Sequence, residues 1–149
     1  MKKILIVMAV AFCIVGCGQK ASRNNINYVE EGLKYLSQQD LPNAIKSFDL
    51  AIQKDPKNAE THISIAQIYF KLKNFPGVEA LCLRVLQFDP NNGDAYYLLA
   101  MSRGSQGNPQ EAFELLKRSF YLFSQQNNQE KAQMVAELLQ KFVSEEAAP

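Results

Sequence analysis

Histidine occurs once in these 149 residues and tryptophan not at all. His62 has no second imidazole with which to share a metal, and no Cys-x-x-Cys pair stands in for one. A zinc site of ordinary composition is therefore excluded. Cysteine is scarce as well, with Cys13, Cys17 and Cys82 making up the full set. A dominant charge is also missing. Lys and Arg number 16 against 15 Asp and Glu, for a formal net charge of +1, and two of the positives are Lys2 and Lys3. Without a basic field, nucleic acid is not expected as a partner. Charged residues make up 21% and apolar ones 47%, a globular rather than a disordered balance. The usual marks of catalysis are absent too. Gly104-x-x-Gly107 has no strand before it and so is not a phosphate loop. Glu30 and Glu31 are neighbours in sequence and would project about 100° apart on a helix, which suits a solvated edge. His62 falls on an apolar stripe and reads as a packed side chain. No catalytic residue, metal or cofactor is expected, and the chain does not read as an enzyme.

The apolar run Ile4–Val15 is too short to span a bilayer. As a helix it would reach about 18 Å, against a hydrocarbon core roughly 30 Å thick. Preceded by Lys2 and Lys3, it reads as a cleaved secretory signal over residues 1–16. Ile14-Val15-Gly16-Cys17 resembles the lipobox of bacterial lipoproteins. That resemblance implies cleavage before Cys17 and acylation of its thiol. Two or more acyl chains anchor a protein stably where one does not. Gly18 stands where enteric-type lipoproteins kept at the inner membrane carry Asp, so the expected place is the outer membrane, facing the periplasm. Residues 17–24 then form the lipidated cysteine and a polar tether. Its stretch Gly18–Asn24 would reach at most about 23–25 Å when extended. With Cys13 removed and Cys17 lipidated, Cys82 is left without a disulfide partner and reads as a buried small apolar side chain.

What the chain does have is one phrase written three times. Tyr28, Gly32, Tyr35, Ala44, Phe48, Ala51 and Pro56 recur 34 positions later as His62, Ala66, Tyr69, Val78, Cys82, Val85 and Pro90. They recur again, more loosely, as Tyr96, Ala100, Arg103, Ala112, Leu116, Ser119 and Ser124. A fixed period of this kind marks a repeat architecture. Asp40, Asn74 and Asn108 share the spacing, and each stands just before a proline-marked helix start. The units are 25–58, 59–92 and 93–126, each a helix–turn–helix. Helix A of the first is expected from about Ile26 and helix B from Pro42 to Lys54. Residues 127–143 carry Ala132, Val135, Ala136, Leu138, Leu139 and Phe142 at helical spacing and read as a capping helix; 144–149 are a tail. The pattern resembles the tetratricopeptide repeat. The resemblance implies an all-α fold of three antiparallel helix pairs in a right-handed superhelix, closed by the C-terminal helix. Glu31, Arg103 and Ser124 depart from the family's pattern, and Pro109 comes one position early.

Each A helix has a second apolar stripe that packing within one pair does not need. It comprises Val29, Leu33 and Leu36, then Ile63, Gln67 and Phe70, then Tyr97 and Met101. Glu60 and Asp94 lie at its margins. In tetratricopeptide repeats these positions line the concave face, so they are the candidate partner groove, suited to an apolar segment or amphipathic helix. The carboxylate-clamp subclass, which binds chaperone C-termini, has Lys and Asn where this chain has Val29 and Leu33, and that activity is not expected. The expected function is a lipid-anchored scaffold or adaptor in the bacterial cell envelope. Its partner is an envelope protein or a peptide segment of one, and it resembles in plan the pilotin-like lipoproteins of pilus and secretion assembly. The alternative is a small structural lipoprotein whose groove mediates self-association as a homodimer.

Overall fold

The computed structural model describes residues 20–146, which form seven α-helices and no strand. They are α1 (Lys20–Ser37), α2 (Leu41–Lys54), α3 (Ala59–Lys71), α4 (Phe75–Phe88), α5 (Gly93–Ser105), α6 (Pro109–Gln125) and α7 (Gln129–Glu146). The all-α expectation holds, as three helix pairs and one further helix. The signal segment, Cys17 and the last three residues lie outside the described residues. Helix α1 starts upstream of the expected Ile26, so residues 20–24 are helical rather than an extended tether. A helix rises about 1.5 Å per residue, less than half the extended reach. Among the described residues, no helix is long and apolar enough to cross a membrane.

The turns inside the pairs share one construction. Gln39, Lys73 and Gly107 have φ of 60°, 58° and 81°, the left-handed conformation that ends a helix. The residue after each closes the turn. Asp40 N–H donates to the Tyr35 carbonyl, Asn74 N–H to that of Tyr69 and Asn108 N–H to that of Arg103, each at 2.9 Å. The next helix is then capped. Asp40 accepts from Asn43 N–H and Asn74 from Gly77 N–H, both at 3.2 Å. Asn108, expected to act likewise, makes no side-chain cap bond. Pro109 follows it directly and restricts its backbone, whereas Pro42 and Pro76 stand one residue further on. The A helices have caps of their own: Asn58 accepts from Thr61 N–H and Asn92 from Ala95 N–H, both at 2.9 Å.

The described residues fall into two compact units, one ending at Pro56 and one beginning at Lys57. In the first, α1 packs on α2. A Cβ on Gly32 would sit 2.3 Å from Phe48 Cε1, so the phenyl ring rests on the α1 backbone itself. Phe48, Ala44 and Ala51 are fully buried, while Glu31 is exposed. In the second unit, α3 packs on α4, α4 on α5, α5 on α6 and α6 on α7. One part of its core holds Ile65, Ala66, Val78, Cys82 and Val85, all fully buried. Another joins Ala100, Leu116 and Phe123 to Ala132 and Val135 of α7, with Leu138, Leu139 and Phe142 packed against them. The apolar side of α7 thus covers the last repeat, as its spacing predicts.

The irregular phrase positions have local explanations. Arg103 does not pack as an apolar residue would. It reaches Glu79 of α4 at 3.0 Å and Glu111 of α6 at 3.2 Å, and Gln106 donates to the same Glu79 at 2.7 Å. A polar clasp therefore joins three helices where the first two repeats use Tyr35 and Tyr69. Ser119 is buried, and its hydroxyl donates to the Gly93 carbonyl at 2.9 Å. His62 is fully buried, its Nδ1 lies 2.8 Å from the Asn58 carbonyl, and its ring meets Phe88 edge-on at 5.7 Å.

Candidate functional site

Within the second unit, α3, the start of α5 and the start of α7 enclose a recess of about 300 Å³. Its lining is Ala59, Glu60, Ile63, Ser64, Gln67, Asn92, Asp94 and Lys131. Residues 60, 63, 64 and 67 recur at i, i+3, i+4 and i+7, which places them on one side of α3. Ile63 forms the apolar floor and is only 8% exposed. Asn92 is committed to structure: it caps α5 and its amide donates to Asp89 at 2.8 Å. Lys131 is committed too, with Nζ 2.7 and 2.8 Å from the two oxygens of Asp94 and 5.3 Å from the Phe123 ring centre. By contrast Glu60, Ser64 and Gln67 make no side-chain hydrogen bond or ion pair among the described residues. The recess thus offers a carboxylate, a hydroxyl and an amide, all unspent, around an apolar floor. An amide that both donates and accepts can pair with an extended peptide backbone.

The residues expected in the groove are distributed as follows. Ile63 and Gln67 line the recess. Phe70 is half-buried and packs on Phe75 with ring centres 5.9 Å apart, at the α3–α4 turn rather than in the recess. Tyr97 is half-buried against the Leu116–Phe123–Val135 core. Met101, further along α5, is half-buried. Val29 and Leu36 are half-buried on α1 in the first unit, where Leu33 is 45% exposed. The sequence pattern places Glu60 and Asp94 at the margin and gives no signal for Lys131 or Ser64. A polarity count treats polar residues as solvated edge. The Asp94–Lys131 pair spans 37 positions and has no local signature.

Two buried groups, Cys82 and His62, lie apart from the recess lining. Burial pushes the Cys82 thiol up to about 12, and the nearby Glu79 carboxylate adds in the same direction. A thiol held neutral is a poor nucleophile. His62 Nε2 is buried with no hydrogen-bond partner among the described residues, inside the core rather than at a cleft. No group of three His, Cys, Asp or Glu among the described residues is placed to hold a metal.

Two sequence profiles described as tetratricopeptide repeat match residues 35–102 and 93–126. A human protein named PEX5-related protein is 35% identical over 88 residues, 59% of this chain and 14% of its own length. The chain thus spans about one-seventh of the length of the curated relatives it matches. Among solved structures, the TPR2B domain of yeast Sti1 in complex with pHsp70 is similar, with a TM-score of 0.68 and 26% identity over 83% of this chain and 98% of that one. The first such domain of Spaghetti (RPAP3), bound to the HSP90 peptide SRMEEVD, is 24% identical over 85% of this chain and 96% of that one, with a TM-score of 0.64. This second likeness is one of fold.

Proposed function

The chain belongs to the tetratricopeptide repeat family, and from that premise we propose that it is a lipid-anchored adaptor of the bacterial cell envelope that holds a segment of a partner protein in the α3–α5–α7 recess. The observation that carries the binding half is the set of unspent groups, Glu60, Ser64 and Gln67, around the Ile63 floor. Polar side chains without partners beside an apolar floor are the ordinary lining of a site that orients a ligand. The similar TPR2B domain of yeast Sti1 is in complex with pHsp70, which supports a segment rather than a whole folded protein as the bound element. The chaperone C-terminus itself is a poor fit, because Val29 and Leu33 stand where the clamp has Lys and Asn. The anchored half rests on the lipobox-like Ile14-Val15-Gly16-Cys17 and on Gly18, which favour the outer membrane facing the periplasm. Assembly of a pilus or secretion complex is the pathway whose lipoproteins share this plan.

The experiment is crosslinking in intact cells. A photoreactive side chain placed at Gln67 should give one dominant adduct. The same side chain at Glu114, on the exposed surface of α6, should not. Equal adducts from both positions, or none from Gln67, would contradict the proposal.

A further inference from the structure

The recess does not carry balanced charge. Its lining holds two carboxylates, Glu60 and Asp94, against one ammonium, Lys131. That ammonium is held by both oxygens of Asp94, so its charge is already answered within the chain. Glu60 is exposed and forms no ion pair among the described residues. It opens the first turn of α3, one turn before Ile63. A ligand lying on Ile63 therefore meets an unpaired negative charge within one helical turn, about 5.4 Å along the axis.

We propose that the recess selects a cationic segment: a stretch of a partner protein in which a lysine or arginine stands next to apolar side chains. An apolar residue rests on Ile63, the ligand backbone pairs with Gln67, and the cation pairs with Glu60. This rests on the peptide-binding reading above. The geometry disfavours acidic segments twice over. A ligand carboxylate meets Glu60 with no cation to offset it, and it gains Lys131 only by breaking that residue's two contacts with Asp94. Like charges set against each other reject the wrong partner as effectively as good contacts favour the right one. The Glu60 charge acts mainly on encounter rate and specificity, and at 0.1 M salt it is screened beyond about 10 Å.

The test is fluorescence anisotropy on the full chain with three labelled, amidated decapeptides that share one apolar core. One carries two lysines, one two glutamates and one two serines. In about 50 mM salt the lysine peptide should bind roughly tenfold tighter than the glutamate peptide. The gap should shrink to about twofold in about 0.5 M salt. Glu60→Gln should narrow the preference for the lysine peptide over the glutamate peptide about threefold. Equal binding of the charged peptides, tighter binding of the glutamate one, or an unchanged preference in Glu60→Gln would overturn the charge selection. The peptide-binding reading survives those results so long as the serine peptide binds. If no peptide binds, both fall; a chain that is also dimeric at low micromolar concentration would then point to a second copy as the occupant.

Discussion

Lys73 and Gln39 show what a single residue can hide. Both hold a left-handed backbone at a turn, where glycine is the usual choice and where Gly107 stands in the third repeat. A side chain in that conformation costs roughly 1–2 kcal/mol. Lys73→Gly should therefore stabilise the chain by about 1 kcal/mol, and Gly107→Lys should destabilise it by a similar amount, both read from urea denaturation midpoints. Neither turn was legible as left-handed from its residue type; only the 34-residue register relates both positions to Gly107. Cys82 was legible, because its phrase position is apolar in the other repeats. Its thiol gives a pH prediction. Burial raises it from 9.0 to about 12, so the folded chain keeps the proton more tightly than the unfolded one. The stabilisation is complete below about pH 9 and is lost as pH rises from there towards 12, at up to about 1.4 kcal/mol per pH unit. Cys82→Ala should lack that alkaline slope. If stability against pH runs parallel in the two proteins up to pH 11, the thiol is not held neutral.

Glycines distinguish how the helices meet. Gly32 of α1 touches the Phe48 ring, and a methyl group there has no room. A Cβ on Gly104 of α5 would meet the Ala112 methyl at an ordinary 3.6 Å. Gly32→Ala should cost about 1–3 kcal/mol through overpacking, while Gly104→Ala should gain about 0.5 kcal/mol through helix propensity. Thermal unfolding of the two variants checks both signs. Most of the element pattern was legible because core and cap signals repeat together. Where one repeat departs from the others, register alone misleads: Asn108 loses its cap bond behind Pro109, and Arg103 exchanges packing for the Glu79–Glu111 clasp. The start of α1 is not legible in the sequence because residues 20–24, polar apart from Ala21, carry no repeat signal, yet they continue the helix.

For the whole molecule, what matters is which face stays free and where it works. The apolar stripe placed Ile63 and Gln67 on one face of α3, and both line the recess. It could not mark the recess, whose polar wall comes from α3, α5 and α7 together and whose Asp94–Lys131 pair forms only on folding. The anchor is a separate matter, resting on Cys17. Cys17→Ser should abolish lipid labelling and shift the protein from the membrane to the soluble fraction; unchanged membrane retention would refute the lipoprotein reading. The central claim is that the recess binds a peptide segment, and nuclear magnetic resonance tests it most directly. Titrating a neutral apolar decapeptide into the isotope-labelled chain should shift the backbone amides of Ile63, Ser64, Gln67, Asp94 and Lys131, and leave those of Phe120 and Tyr121 on α6 in place. Shifts centred on α6, or no saturable shift in the recess, would contradict it.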